Sequence, residues 1–404
     1  MLRSMFSAIS GLRAHQTKMD VVGNNIANVN TVGYKSQTTV FEDTLSQLLR
    51  NGSAPQNGTA GSNPAQVGLG VKLAGISTNW TQGSTQNTGR STDFMISGDG
   101  FFMTKAGSEN LYTRAGSFDF DGVGNLVTPD GGILQGWLAD PVTGQINNNG
   151  PVTDMAIPYG QVLAPVATTN GAAAGNLSAD ALVGDSVETQ ITMFDKLGNP
   201  HDVSYIFTKT AANKWNVDVK DGGTSVLTAP VSLDWTASNG LTPTPATVST
   251  TSASWGTVAI DLSKVTQYGG KASVTPTTPV GAGSALGTLE SFALSNDGTV
   301  TGVYSNGLRK PLGQLALATF ANPSGLTKAG NSSYRVGDNS GNALVGTAGT
   351  GGRGTLTAGA LEMSNVDLSE EFTGLIVAQR GFQANSKVIT TSDEILQTLV
   401  NMKN

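Results

Sequence analysis

The chain has no cysteine among its 404 residues and only two histidines, His15 and His201. Disulfides, thiol nucleophiles and cysteine-based zinc sites are therefore excluded. Two histidines so far apart cannot form a His-x-x-x-His metal helix. Charge is also scarce, at 13% against a usual ~25%, with 23 Lys and Arg and 29 Asp and Glu giving a net charge of −6. So few cations argue against nucleic acid, whose binding rests on neutralising phosphates. No apolar run approaches the ~18 residues of a membrane-spanning helix. Arg3 and Arg13 bracket only a short apolar stretch with no small-x-small cleavage site after it, so if the protein leaves the cytoplasm, a route that reads no cleaved signal is expected. Gly (52) and Pro (15) stay below the ~25–30% share of low-complexity chains. The chain can bury real cores behind a surface of Ser, Thr, Asn and Gly.

The ends carry a different pattern from the middle. Met5, Leu12, Met19 and Ile26 recur at intervals of seven, with Ala8, His15, Val22 and Val29 three residues on. Leu368, Leu375, Phe382, Ile389 and Leu396 repeat the spacing. Both are a/d seams of helical coiled coils. Ser364 or Asn365 is the expected cap of the second helix, with Glu370 and Glu371 in its anion-favouring first turns. Over 368–402 that helix would run about 50 Å. A narrow-seamed helix is marginal alone, so the first partner expected for each is the other. Gly374, Ala378, Gly381 and Asn385 form a stripe of small residues along the second helix, suited to close approach.

The middle reads as all-β. Asp-x-x-Gly-Asn occurs at Asp121–Asn125, Asp195–Asn199 and Asp338–Asn342, and Asn296-Asp297-Gly298 is a relative. Asp or Asn opens a tight turn and Gly closes it, so hairpins are expected at each. Trp215–Val219, Val258–Leu262 and Leu315–Phe320 read as further strands, and 51–66, 165–176, 236–257, 276–288 and 346–359 as linkers or connectors. The expected fold class is multidomain: α-helical coiled-coil termini, a mainly-β split domain and an inserted β domain. The boundaries are 1–35 with 361–404 for the helical part, 36–75 for a connecting segment, 76–165 with 290–360 for the split domain, and 166–289 for the insert.

Chemistry-bearing motifs fail on context. Gly349-x-Gly351-x-x-Gly354 lacks the strand and helix of a dinucleotide site. Asp119-x-Asp121 with Gly124 starts like a calcium loop but puts Val123 and Asp130 where ligands are required. Asp93, Asp99, Glu109, Asp119 and Asp121 leave a secreted carbohydrate-active β-protein as a remote alternative. No catalytic, metal or cofactor residue is expected. His15 reads as a packed interface histidine and His201 as a surface residue. The segment Gly23–Lys35 is distinctive. Asn24, Asn25 and Asn28 crowd a helix end, and amides buried against another subunit would account for them.

Asp20-Val-Val-Gly-Asn-Asn-Ile-Ala-Asn-Val-Asn-Thr-Val-Gly-Tyr-Lys35 resembles the N-terminal signature of the bacterial flagellar rod and hook family. Asn365–Phe372 and Gln379–Leu396 resemble that family's other end, while Asp93–Phe102 and Tyr112–Phe118 look like its shared β segments. The stretch 166–289, with Gln190–Asp202, is similar to the insertion of the hook branch; a distal rod protein is the alternative. The resemblance implies a structural, non-enzymatic subunit that leaves through the flagellar type III export apparatus without signal cleavage. It implies self-polymerisation into a curved flexible tube, a universal joint carrying torque from rod to filament. The terminal helices would line that tube, so the implied assembly residues are Met5, Leu12, Met19, Asn24, Asn25, Ile26, Asn28, Leu368, Leu375, Gly381, Phe382, Ile389 and Leu396. The implied partners are further copies of the chain, the distal rod protein, the hook cap, the hook–filament junction protein and the hook-length control protein, with neither nucleic acid nor membrane insertion.

Overall fold

The computed structural model describes residues 2–52, 54, 60–141, 143–157, 159–160, 162–252, 255–277 and 283–402. It is mostly β, with one long helix at each end, α1 (Leu2–Ala27) and α2 (Leu368–Asn401). Two compact units divide the chain: Met1–Ile157 with Ala293–Thr301 and Pro311–Asn404, and Pro158–Phe292 with Gly302–Lys310.

In the first unit α1 and α2 pack together. Asp367 caps α2, its carboxylate accepting from the Ser369 and Glu370 amides. The cap expected at Ser364 or Asn365 thus lies further on. Asn365 is occupied elsewhere, accepting from the Ser36 amide and donating to the Asn79 and Thr81 carbonyls. After α1 the segment read as a connector holds antiparallel strands: Gln37–Asp43 with Val71–Thr78, and Ser46–Arg50 with Ala65–Gly68. Within 51–66, residues 53 and 55–59 lie outside the described residues.

The β body of this unit obeys strand alternation. In Phe101–Ala106, Phe101 and Met103 join Tyr112, Phe320 and Tyr334 in one apolar cluster. Phe102 points the other way, 5.3 Å edge-on to Phe118. The chain returns to α2 through Thr355–Ala358, paired with Phe94–Ser97, and Ala360–Glu362, paired with Thr85–Asn87. Those two registers place Glu362 beside the Gly83 amide and α2 beside α1.

The second unit has two sheets around one core. The first runs in the order Thr247–Ser252, Gly256–Tyr268, Asn170–Ser178, Ser273–Thr277. The second is built on Ser186–Phe194, Pro200–Ala211 and Lys214–Asp221. Trp215, Trp235, Trp255, Tyr205 and Phe207 fill the space between. The expected connector at 165–176 is largely a core strand, with Ala173 and Leu177 buried. Its Ala- and Gly-rich sequence is a fit to bulky neighbours: a Cβ on Gly171 would lie 2.5 Å from the Tyr205 hydroxyl.

The Asp-x-x-Gly-Asn turns divide. Asp121 accepts from the Val123 and Asn125 amides and the Asn125 side chain, and Asp195 does the same with Leu197 and Asn199. Both carboxyls are held below the usual carboxylate range, foremost by the asparagine side chain. Both close hairpins. Asp338–Asn342 closes none, because Ser333–Arg335 pairs with Glu109–Thr113 and Leu344–Gly346 with Leu317–Thr319. Its turn is held instead by Ser340, whose hydroxyl donates to the Gly337 carbonyl.

Trp235 is buried and donates from Nε1 to the Val265 carbonyl. Trp235→Ala should destabilise the second unit by about 3–5 kcal/mol. Scanning calorimetry should show its transition moving down while that of the first unit stays in place.

Candidate assembly surface

The helix pair is tightest where its side chains are smallest. A Cβ on Gly11 would lie 2.8 Å from Asn385 Nδ2, and one on Gly381 2.5 Å from His15 Cε1. Ala8, Ala14, Val22, Ala378 and Ser392 are buried along the contact. Each helical glycine costs about 1 kcal/mol against alanine, and here that cost is offset by axis-to-axis approach. Of the heptad residues, Ala8 and Val22 are among these buried positions. Met5, Leu12, Met19, Ile26, Leu375, Phe382, Ile389 and Leu396 are half-buried, and Leu368 is exposed. Phe6, Phe372, Ile376, Val388, Ile395 and Leu399 are exposed outright. A row of large apolar side chains facing water marks a surface that another partner covers. His15 is packed as expected, 6.1 Å from the Phe41 ring, with Nδ1 enclosed and unpartnered.

The asparagines at the end of α1 serve their own chain. Asn25 is fully buried and uses every hydrogen-bonding valence. Its Nδ2 donates to the Gln37 carbonyl (2.8 Å) and to Glu371 Oε1 on α2 (2.7 Å), and its Oδ1 accepts from the Gln37 amide (3.0 Å) and the Tyr34 hydroxyl (3.1 Å). Asn24 shares the single Tyr34 hydroxyl proton with Asn25, at 2.9 Å, and accepts from Asn28, and Asn28 accepts from Thr31. Asn25 is thus satisfied by the turn after α1 and the start of α2, whereas Asn24 stays exposed. Gly33 makes that turn with φ +68, donating its amide to the Glu362 carbonyl at 2.8 Å, and the Ala115 backbone leaves no room for a Cβ there.

Beneath the turn lies a buried ionic group. Lys35 Nζ sits 2.6 Å from Glu362 Oε1 and 2.7 Å from the Thr81 carbonyl, Glu362 also accepts from the Gly83 amide, and Arg114 Nη1 meets Glu362 Oε2 at 3.3 Å. The Lys35 and Glu362 side chains are 0% and 1% exposed. Burial pulls the Lys35 ammonium below its ordinary value, with the bond to Glu362 opposing that. Sequence reasoning missed Lys35, Glu362 and Arg114 as a group. The available signal was a lone charge inside Ala360-Leu361-Glu362-Met363, in a chain short of charge.

Of the remaining sequence candidates, Asp93 and Asp119 both meet Arg90, at 3.8 and 2.6 Å. His201 is less exposed than expected, with Nδ1 3.0 Å from Asp221. Among the described residues no group of three or more His, Asp or Glu could hold a metal ion, and no helix is long and apolar enough to cross a membrane.

Paired terminal helices with apolar outer faces, carrying β units and tied down by a buried charge group, define a structural assembly subunit. Similarity to known protein families places it more closely. "Flagella basal body rod protein" matches 5–35, "Flagellar hook protein FlgE/F/G D1 domain" 95–165, "Flagellar basal body protein FlaE D2 domain" 185–282, and "Flagellar basal body rod FlgEFG protein C-terminal" 357–402. The flagellar hook protein FlgE of Borreliella burgdorferi is 38% identical across 100% of both chains. That of Escherichia coli K12 is 39% identical over 98% of this chain and 99% of its own. The flagellar basal-body rod protein FlgG of Bacillus subtilis is 34% identical across 100% of both. The crystal structure of Helicobacter pylori flagellar hook protein FlgE2 shares the fold over 67% of this chain and 98% of that one, with TM-score 0.52 and 12% identity. The chain belongs to the flagellar hook protein family, whose members are structural and not enzymatic.

Removing one member of the buried ion pair should be costly. Lys35→Ala should lower stability by about 3–5 kcal/mol, since it leaves Glu362 buried with less compensation. Urea denaturation checks this, and added salt should leave the wild-type value almost unchanged because the pair is shielded from solvent. Glu371 behaves differently. Its carboxyl is held above the usual range, first by burial, with the Asn25 bond opposing and Glu370 adding to it. A raised folded-state pKa favours the folded pair below the ordinary value and loses that contribution as pH rises through the folded one. Glu371→Gln keeps an acceptor for Asn25, so assembled polymers should melt higher with it near neutral pH and equally with wild type at about pH 4.

Proposed function

We propose that this chain is the structural subunit of a bacterial flagellar hook, polymerising with copies of itself into a curved flexible tube that transmits torque from rod to filament. The observation that carries the reading is the helix pair. Its small residues meet within the chain, while Phe6, Phe372, Ile376, Ile395 and Leu399 remain uncovered. Copies packed side by side would cover them. The heptad residues Met5, Leu12, Met19, Ile26, Leu375, Phe382, Ile389 and Leu396 then complete a coiled-coil layer between neighbours, with Leu368 at its edge. Asn24, Asn25, Asn28 and Gly381 set the geometry of each pair.

In this reading 1–35 with 361–404 form the inner tube, 36–75 connects, 76–165 with 290–360 form a split β domain, and 166–289 an inserted outer domain. The distal rod protein, hook cap, hook–filament junction protein and hook-length control protein meet it at the ends or during growth. The chain leaves through the type III export apparatus without a cleaved signal and works outside the cell. Terminal helices that order only on assembly would couple folding to polymerisation, since an uncovered amphipathic helix is marginal in water. The 34% identity to a rod protein supports a distal rod subunit as the second reading.

Immunogold microscopy with antibody against 166–289 tests location. Gold on a short curved segment at the filament base is expected; gold only after the envelope is opened supports the rod. Circular dichroism tests the coupling. Helix content should rise on polymerisation, toward helices of 26 and 34 residues, and equal content in monomer and polymer removes it.

A further inference from the structure

An asparagine followed by glycine carries a latent reaction. The glycine amide nitrogen can attack the asparagine side-chain carbonyl, because no Cβ on the glycine blocks the approach. Such pairs begin at Asn51, Asn57, Asn149, Asn170, Asn239 and Asn306. Residues 53 and 55–59 lie outside the described residues, so the comparison falls on the last four pairs.

Three of these are held. Asn306 donates from Nδ2 to the Ala285 carbonyl at 2.8 Å and accepts at Oδ1 from the Leu308 amide at 3.1 Å, so both ends of its carboxamide are engaged. Asn170 opens the strand Asn170–Ser178, and Gly171 is buried in register with Ile260. Asn239 is in the left-handed conformation, with φ 52 and ψ 39, and Gly240 is buried with its amide directed at the Trp235 carbonyl.

Asn149 is exposed in the turn Asn147–Gly150, and its carboxamide bonds to no group among the described residues. The turn is fixed by other atoms. Asn147 Oδ1 accepts from the Asn149 amide at 3.2 Å, and the Gly150 carbonyl accepts from Trp137 Nε1 at 2.9 Å. The Gly150 amide, half-buried, meets the Asn147 carbonyl at 3.4 Å, longer than the usual limit of about 3.2 Å. Its proton is therefore weakly held and within reach of water.

We infer that Asn149 is a site of spontaneous covalent modification, closing on Gly150 to a succinimide that water opens to aspartate or isoaspartate. The Gly150 nitrogen loses its proton to water and bonds to Asn149 Cγ, and the side-chain nitrogen leaves as ammonia. Water then adds to one of the two ring carbonyls and breaks its bond to the ring nitrogen. Opening at Cγ gives aspartate. Opening at the main-chain carbonyl gives isoaspartate, whose backbone runs through the former side chain. Nothing is oxidised or reduced. Either product adds a negative charge to a chain already at −6. Isoaspartate also lengthens the main chain beside the carbonyl that holds Trp137, which is buried in the strand Ile133–Leu138. The inference is independent of the polymer reading.

The test is peptide mapping by mass spectrometry of the full chain during incubation in mildly alkaline buffer, folded and in urea. Expected in the folded chain is a gain of about 1 Da at Asn149, about tenfold faster than at Asn170, Asn239 or Asn306. In urea the four should convert at similar rates, because the selectivity belongs to the fold. A Cβ on Gly150 would meet only the Asn147 carbonyl at 3.6 Å and the Asn147 side chain at 3.9 Å, both ordinary contacts. Gly150→Ala should therefore melt as wild type and slow the conversion about tenfold. Indole fluorescence of Trp137, assigned through Trp137→Phe, should change in step with the isoaspartate fraction. An Asn149 left unconverted in the folded chain when the urea-unfolded chain has converted overturns the inference. So does a folded chain in which any of the other three converts as fast.

Discussion

The buried contact of Lys35, Glu362 and Arg114 is the constraint on which the first unit depends. It joins the exit of α1, the approach to α2 and the β body, three segments far apart in sequence. Burying charges adds little net stability when they are paired and costs heavily when they are not. The group therefore acts through selectivity: a chain with its ends docked out of register would strand an ammonium or a carboxylate in a dry interior. Neighbouring contacts reinforce the same register. The Gly33 amide reaches the Glu362 carbonyl, Asn25 reaches Glu371, and Asn365 reaches Ser36 and Asn79.

That anchoring decides what the helices present outward. With the entry to α2 pinned beside the exit of α1, close approach falls to Gly11, Ala378 and Gly381. The larger seam residues are only half-buried, since one partner helix does not cover them fully. A pair packed through small residues thus leaves apolar surface on its outer sides, and the chain is incomplete by itself. In the proposed polymer, assembly would draw on the same packing that pairs the ends.

The second unit is organised on different terms. Its sheets close over three tryptophans and need no contribution from the termini. Only local turns are shared in kind with the first unit, as the matching geometry of Asp121 and Asp195 indicates. A self-sufficient core suits a part whose surface can vary without disturbing how the ends pair.

The helices, their seven-residue spacing and the hairpins at Asp121 and Asp195 were legible in the sequence, because each depends on contacts within a few residues. Family membership was legible as well, through the segments around Asn24–Lys35 and Asn365–Leu396. The strand Asn170–Ser178 was not, since alanine and glycine read as a linker until the bulk of Tyr205 requires small residues there. The asparagines drew attention in the sequence, but the partner of Asn25 is Glu371 of the same chain, 346 positions away. The pairing of Lys35 with Glu362, 327 positions apart, lay equally beyond local reading. By itself the sequence determined the periodicities, the hairpin turns at Asp121 and Asp195 and the family. Tertiary structure alone decided which side chains of each helix face inward and which charges are buried together, because burial and pairing belong to the space between segments and no short stretch of chain carries them.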